Sequence, residues 1–247
     1  MPFTRKPLIF HPFPQLLAVE STRHGGVSPP PYHSLNVGVF TEDSPENIRE
    51  NRTLLFQSLG IYEDQVVHSH QIHGDQILLA QHPGLQEGYD ALITNRPGLF
   101  LSVTVADCTP ILVYDPVQNA VAAIHAGWRG AVARIVLKTL KAMEMQFQTR
   151  PEDCIAYVGT CIDECSYEVG KEVAVHFEEK FTRLGPEPGK FLLDLKSANA
   201  AQLLDAGVPA SQIEVSVYST VLHNADYFSY RKESGKTGRM LAIIGLC

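Results

Sequence analysis

Three short stretches of the sequence place histidine or cysteine at the edge of apolar segments. They read HSHQIHG, VADCTP and IHAGWRG. Imidazole nitrogen and thiolate sulfur are the ligands that zinc prefers, and a catalytic zinc takes three protein ligands and keeps one position open. Cys108 and His125, joined by one histidine of the first stretch, would form such a site; the candidates are His68, His70 and His73.

The metal hypothesis rests on the three stretches together. A single cysteine beside an apolar run is usually a small buried hydrophobic residue, and the chain has no CxxC or HExxH spacing. Cys108 and His125, however, both follow apolar runs with strand-like composition. We expect these two runs to pair as strands and to bring their ends together.

Two further charged residues lie beside the candidate ligands. Arg129 follows His125 where a strand changes into a helix, so its guanidinium and the backbone N–H groups of the first turn could bind an anion. The alternative is that Arg129 bonds nearby carbonyl groups. Asp107 precedes Cys108 and could orient a ligand or transfer a proton, or it could simply cap a turn.

The secondary-structure elements that position these residues are predicted from hydrophobic periodicity and from residues typical of helix ends and loops. After the strand LLAVESTR and a long Gly/Pro/Ser loop, Ser44 and Pro45 begin a helix that ends at Gly60. Arg52 lies on the apolar stripe of this helix, where it is either a snorkelling side chain or a functional one.

The remaining segments change irregularly between strand-like and helical hydrophobic periodicity. QVVHSHQIHGDQILLA is strand-like and broken at Gly74, GLFLSVTVADCTPILVYDP gives two strands, and AVAAIHA leads into a helix after Gly130. A strand CIAYVGT, a helix from about Tyr167 to Phe181, a helix SANAAQLLDAG and the strands IEVSVYST and RMLAIIGL follow. Because no βαβ rhythm is present, we predict an α+β fold in one domain over residues 1–247.

The composition argues against several classes of protein. The 247 residues are 45% hydrophobic and 19% charged, with a formal net charge of -7, so a basic surface for nucleic acid is not expected. No run reaches the roughly 18 apolar residues of a membrane span, and prolines interrupt the first apolar stretch. Five scattered cysteines do not indicate a disulfide framework. We expect a cytoplasmic protein.

Several motifs together carry a resemblance over about residues 17–246. STRHGGVSPPPYHSLNVG, ENR, QIHGDQI, DALITNRPGLFLSVTVADCTPILVYD, AAIHAGWRG, YEVGKEV and DYFSYRKESGKTGR occur in this order. In these stretches the chain resembles the YfiH-type family, also called laccase-domain or multicopper polyphenol oxidase proteins. It departs from many members at Ser219-Thr220 and at Arg231-Lys232.

The resemblance implies a fold, a site and a set of activities. The fold would be one α+β domain of layered sheets flanked by helices, related to toxins of the cytotoxic necrotizing type. The zinc ligands would be His73, Cys108 and His125, and Arg129 would bind phosphate. Asn36 and Arg52, which lie in two of the matching stretches, are further candidates for substrate binding.

The resulting function hypothesis is a zinc enzyme acting on small molecules. It would split adenosine, inosine, guanosine and methylthioadenosine with phosphate and would deaminate adenosine, with catalytic candidates Asp107, Cys108, His125 and Arg129. The alternatives are a cysteine hydrolase that edits peptidoglycan precursors, with Cys108 as nucleophile and a histidine base, and a copper-dependent polyphenol oxidase, copper being the alternative metal. A binding module without catalysis is a further alternative. We expect a monomer or a homodimer.

Overall fold

Two six-stranded sheets pack face to face in the computed structural model, which describes residues 3–247. The first sheet contains, in spatial order, β1 (Thr4–Arg5), β2 (Leu16–Ser21), β15 (Met240–Leu246), β7 (Phe100–Val105), β3 (Val66–His70) and β5 (Gly84–Glu87). The second contains β14 (Ile213–Val215), β10 (Ile155–Val158), β8 (Thr109–Asp115), β9 (Ala120–Ala126), β6 (Ala91–Thr94) and β4 (Ile77–Leu79).

Helices and a small third sheet cover these two sheets. The third sheet contains β11 (Glu168–Gly170), β13 (Lys190–Leu193) and β12 (Thr182–Leu184). The α-helices are α1 (Pro45–Ser58), α2 (Trp128–Val132), α3 (Ile135–Phe147), α4 (Lys171–Ala174) and α5 (Leu195–Ala206). Short 3-10 turns lie at Leu8–Phe10, Glu63–Gln65, Pro151–Asp153, Glu164–Ser166, Glu179–Phe181 and Ala210–Gln212. Among residues 3–247, no helix is both long enough and apolar enough to cross a membrane.

The central strands are apolar on both faces because both faces are covered. In β15, Ala242 and Ile244 pack between the two sheets, whereas Leu241 and Ile243 pack against the α1 side. Alternation with a period of two sends successive side chains to opposite faces of a strand. The outer face of the second sheet packs in the same way on α3 and α5. This order of helix, sheet, sheet and helix confirms the α+β prediction.

The expected pairing of the two apolar runs was wrong. β7 lies in the first sheet, between β15 and β3, whereas β9 lies in the second sheet and pairs with β8 and β6. The two runs face each other across the core. Their ends still meet, because the chain passes from the first sheet to the second between Val105 and Thr109.

Two predicted elements are shorter than expected. The predicted helix from about Tyr167 to Phe181 is α-helical only over Lys171–Ala174, followed by a 3-10 turn at Glu179–Phe181, since the residues before it pair as β11 with β13. The predicted strand IEVSVYST ends at Val215. Beyond it, Lys196 Nζ donates to the carbonyl oxygens of Ser216 and Tyr218, which are then engaged outside the sheet.

Candidate metal centre and active site

Three connections bring the candidate ligands to one end of the sandwich. His73 lies in the loop between β3 and β4, Cys108 in the crossover from β7 to β8, and His125 near the end of β9. One ligand atom from each residue lies within 4.8 Å of the other two. The rings of His73 and His125 stand edge to face, with their centroids 4.8 Å apart. The tertiary structure therefore brings together the three residues that the family resemblance implies as metal ligands.

His125 is held by a buried carboxylate. The His125 side chain is nearly inaccessible to solvent, and its Nδ1 lies 2.8 Å from Oδ1 of Asp90. An ionised carboxylate only accepts hydrogen bonds, so Nδ1 carries a proton and Nε2 is the nitrogen left for a metal. Asp90 was not predicted from the sequence, although a charged residue directly before the apolar strand ALIT was a usable signal.

The Cys108 thiol and the His125 imidazole shift each other's pKa. Burial raises the pKa of the Cys108 thiol, but the charge of His125 and hydrogen bonds from His125 and His73 outweigh it and lower that pKa to about 6. Burial lowers the pKa of His125, but the Cys108 thiolate and Asp90 raise it to about 9. The protein thus favours the thiolate, which is the form of cysteine that binds metal.

The donor set and the space around it fit a zinc-type ion. One sulfur and two nitrogens are borderline-soft ligands, and three protein ligands leave one position for a reactant. A Cβ atom added at Gly127 would lie 3.1 Å from Cys108 Sγ and 3.3 Å from His73 Cδ2. The absence of a side chain at Gly127 keeps this small volume clear beside two of the ligands.

A cavity of about 590 Å³ opens directly beside the three ligands, all of which line it. Ligand pockets of this kind usually measure about 300–1,000 Å³. Its wall also carries aromatic and cationic side chains, namely Phe40, Trp128, Tyr167, Tyr230, Arg231 and Arg239. None of these residues was assigned to the site from the sequence.

Asp107 lies in the wall of this cavity, with both carboxylate oxygens engaged. Oδ1 accepts a hydrogen bond from Thr220 Oγ1 at 2.5 Å, and Oδ2 accepts one from the backbone N–H of Arg231 at 2.6 Å. Asp107 also has a φ of 88°, a left-handed conformation that is uncommon for residues other than glycine. It connects the Cys108 crossover to the segment that carries Arg231.

The structure does not bring Arg129 to the cavity. Its side chain is exposed, its guanidinium lies over the Trp128 ring at 4.6 Å from the centroid, and it is absent from the cavity lining. The reason is local, because α2 begins at Trp128 and turns the next side chain outward. Arg231 and Arg239 are the arginines that reach the cavity.

Asn36 and Arg52 lie behind the cavity wall. The Asn36 side chain donates to Thr41 and Asp43 and accepts from the backbone N–H groups of Gly38 and Arg239. It is completely buried.

Arg52 is also buried, with 4% of its surface exposed. It donates to both carboxylate oxygens of Glu63 and to the carbonyl oxygen of Val37. Both residues hold the loop that carries Phe40, and neither lines the cavity. Their roles in substrate binding stay predictions.

The family described as “Multi-copper polyphenol oxidoreductase laccase” matches residues 17–247. The chain belongs to this laccase-domain family. The earlier resemblance to the YfiH-type family is therefore confirmed.

Curated members of this family carry an enzyme name. A purine nucleoside phosphorylase of Bacteroides thetaiotaomicron is 40% identical over 240 residues, which cover 91% of this chain and 89% of that protein. The purine nucleoside phosphorylase YfiH of Escherichia coli is 36% identical, over 97% of this chain and 98% of that protein. The naming of these relatives supports an enzyme.

Solved structures of the family share the fold. YlmD from Geobacillus stearothermophilus superposes with a TM-score of 0.91 at 34% identity, over 96% of this chain and 93% of that chain. The YfiH protein of Bacillus licheniformis gives a TM-score of 0.90 at 34% identity, over 94% and 93% of the two chains. The arrangement of sheets and helices described above is thus the laccase-domain fold.

Proposed function

We propose that this protein is a zinc-dependent purine nucleoside phosphorylase that also deaminates adenosine. One observation carries the proposal: His73, Cys108 and His125 converge within 4.8 Å of one another at the wall of a cavity large enough for a nucleoside. The names of the curated relatives support the phosphorolysis of purine nucleosides. Adenosine, inosine, guanosine and methylthioadenosine are the substrates that we propose.

Two arginines in the cavity wall are suited to bind the phosphate. Arg231 Nη1 donates to the carbonyl oxygen of Glu168, and Arg239 Nη1 donates to those of Thr237 and Gly238. These bonds fix the guanidinium planes and leave the Nε and Nη2 groups for a ligand. Planar guanidinium groups match the geometry of phosphate oxygens. We propose these two residues in place of Arg129.

Charge stabilisation would drive the phosphorolysis. The sugar becomes cation-like in the transition state, and a phosphate anion held beside it by Arg231 and Arg239 would stabilise that charge. Burial raises the pKa of Tyr167, so its hydroxyl stays protonated and could donate a hydrogen bond to the departing base. Asp107, expected from the sequence to transfer a proton, is proposed instead to fix the Arg231 segment, since both of its oxygens already accept hydrogen bonds.

The metal would serve both reactions, because the nucleoside in the cavity would lie beside it in each. The residues that would hold it are His73, Cys108 and His125, and a bound zinc ion would supply Lewis-acid chemistry and lower the pKa of water. Aromatic rings at the cavity mouth, including the exposed Phe40, would contact the purine. Base–aromatic contacts of this kind contribute about 1–3 kcal/mol.

The test separates the two activities. Purified protein is incubated with adenosine with and without phosphate, and adenine, ribose 1-phosphate and inosine are measured. We expect adenine and ribose 1-phosphate only with phosphate, and inosine without it; with phosphate, part of the inosine should be split further to hypoxanthine and ribose 1-phosphate. Cys108→Ala should abolish both activities, whereas Cys154→Ala, a substitution of a buried cysteine outside the cavity, should retain them. Products in Cys108→Ala equal to those of the unchanged protein would contradict the proposal.

One observation favours a second candidate, a cysteine hydrolase with Cys108 as nucleophile. The lowered pKa of Cys108 and the raised pKa of His125 describe a thiolate–imidazolium pair, as nucleophilic cysteines require. A thiolate that ligates a metal is poorly available for attack on a substrate. Stoichiometric zinc in the purified protein, together with nucleoside phosphorolysis that is lost on chelation, would favour the phosphorylase. Hydrolysis of a peptidoglycan precursor that survives chelation would favour the hydrolase.

Copper-dependent oxidation of phenols has less structural support. Within residues 3–247, His73, Cys108 and His125 form the one cluster with metal-ligand geometry, whereas a multicopper oxidase needs several copper ions. Oxygen consumption with a phenol and added copper, measured beside the nucleoside assay, tests this activity directly.

A further inference from the structure

Asp90 occupies a position that connects both histidines of the metal centre. It is completely buried and begins the segment that continues into β6. Its backbone carbonyl oxygen accepts the N–H of His125 at 2.7 Å, so the main chains of the two residues are joined as well.

The Asp90 carboxylate accepts four hydrogen bonds. Oδ1 receives His125 Nδ1 at 2.8 Å and the backbone N–H of His73 at 3.0 Å. Oδ2 receives the backbone N–H groups of Gly74 at 2.7 Å and Ile72 at 3.2 Å. One carboxylate thus fixes the ring of one histidine and the backbone of the other.

The turn at His73 depends on this anchor. His73 has a φ of 58°, in the left-handed region that residues other than glycine adopt at an energetic cost. Three successive N–H groups, from Ile72 to Gly74, converge on the carboxylate, and this arrangement compensates for the unfavourable backbone conformation. The same arrangement directs the His73 side chain towards Cys108.

We propose that Asp90 is the positioning residue of the metal centre, which orients both histidines and keeps the proton of His125 on Nδ1 so that Nε2 faces the ion. This inference rests on the metal centre of the proposed function and on no other part of it. Hydrogen-bond partners behind metal ligands commonly change metal affinity about 10–100-fold when they are replaced.

An asparagine cannot replace this carboxylate in either orientation. If its carbonyl oxygen faces His125, its NH₂ group faces the N–H groups of Gly74 and Ile72, and donor opposes donor. If the amide is reversed, NH₂ donates to His125 Nδ1 and the ring proton must move to Nε2. The first orientation disrupts the turn of His73, and the second blocks the nitrogen that the metal needs.

The chain offers a matched control at the opposite end of the β8–β9 pair from His125. Asp115, at the end of β8, is also completely buried, and its Oδ1 accepts the backbone N–H groups of Val117 and Gln118. It contacts no metal ligand. Asp115→Asn therefore tests the loss of a buried, turn-stabilising carboxylate without a change at the metal centre.

The experiment measures zinc affinity by competition with a chromophoric chelator, with no nucleoside present. We expect Asp90→Asn to weaken zinc binding about 10–100-fold and Asp115→Asn to change it less than about twofold. Asp90→Glu keeps the charge but displaces it, so we expect an intermediate loss and an altered visible spectrum when cobalt(II) replaces zinc. Asp90→Glu decides the question if Asp90→Asn does not fold.

A second readout uses the unchanged protein. Proton–nitrogen NMR of the zinc-loaded protein should show the His125 ring proton on Nδ1. A proton on Nε2, or wild-type zinc affinity in both Asp90 variants, would overturn the inference and leave the metal centre intact. Failure of the unchanged protein to bind zinc would overturn the metal centre and the inference together.

Discussion

Gly127 packs against the sulfur of Cys108 so closely that a Cβ atom at position 127 would lie 3.1 Å from Sγ. Its φ of −76° and ψ of 178° are accessible to any residue, so alanine would be disfavoured by contact alone and not by backbone strain. We predict that Gly127→Ala weakens zinc binding about tenfold, which corresponds to overpacking by about 1.4 kcal/mol.

Chelator competition measures the affinity in that variant, and thermal unfolding of the metal-free protein serves as the control. The unfolding temperature without metal should change little, because the sulfur can move when it holds no ion. Zinc affinity equal to that of the unchanged protein would show that the space at Gly127 has no part in ligation.

The second prediction concerns the Cys108 thiol in metal-free protein. Because its pKa is lowered to about 6, the thiolate fraction should increase from pH 5 to 7 and then level off. Alkylation by iodoacetamide, quantified for each cysteine by mass spectrometry, should follow this profile, and zinc should protect the thiol. The exposed Cys165 and Cys247 provide the comparison within the same chain.

Removing the positive charge of His125 should shift the pH profile of Cys108 alkylation. His125→Asn takes away the main cause of the lowered pKa, so half-maximal alkylation of Cys108 should move to higher pH. If His125→Asn leaves the midpoint where it is, His125 is not the source of the thiolate stabilisation.

The third prediction tests which arginine binds phosphate. Arg231→Ala should raise the KM for phosphate at least about tenfold, because a charge-assisted hydrogen bond contributes about 1.5–3 kcal/mol. Arg129→Ala should raise it less than about twofold, since Arg129 lies over Trp128 outside the cavity. Steady-state kinetics with varied phosphate measure both variants, and the opposite order would restore the assignment made from the sequence.

The fourth prediction concerns the pH dependence of stability. Burial raises the pKa of Glu233, but hydrogen bonds from Ser229, Thr237 and Asn224 and the charge of Arg23 outweigh it and lower that pKa below 4.5. A carboxyl whose pKa is lower in the folded state stabilises the protein above its unfolded pKa, and that stabilisation disappears as the pH falls through the folded value.

Glu233→Gln should therefore lower the free energy of unfolding by about 2 kcal/mol at pH 7, and the difference should shrink as the pH falls below 4.5. Denaturant titrations of Glu233→Gln and of the unchanged protein, repeated from pH 7 down to pH 3, measure this difference in the free energy of unfolding. A difference that stays constant down to pH 3 would indicate lost packing instead of lost charge. Glu233 supports the segment with Tyr230 and Arg231, so the KM for phosphate should also rise.

Local patterns predicted the elements that depend on nearby residues. The helix α1 begins after Ser44, whose side chain accepts the N–H of Asn47, and Pro45 occupies its first turn as expected. The strands on both sides of Asp107 and Cys108 were also predicted, because their apolar runs and breaks lie within a few residues of each other. The segment from 167 to 181 was predicted wrongly, because pairing with β13 outweighs its local helical preference.

The sequence by itself determined the types of donor available for the candidate site. Histidine and cysteine at the edges of apolar runs predicted a site of Cys108, His125 and one of His68, His70 and His73, since ligand chemistry belongs to the residue type and not to the fold. The family resemblance then selected His73. The sequence also indicated the family, through motifs that span nearly the whole chain.

Only the tertiary structure decided what surrounds these ligands. Asp90 meets His125 across a strand pairing, Arg231 and Arg239 reach the cavity from a distant loop, and Arg129 turns away on α2. These positions depend on contacts between residues far apart in the sequence. Hydrogen-bond directions and side-chain orientations across such contacts follow from the packing of the two sheets, which no local pattern specifies.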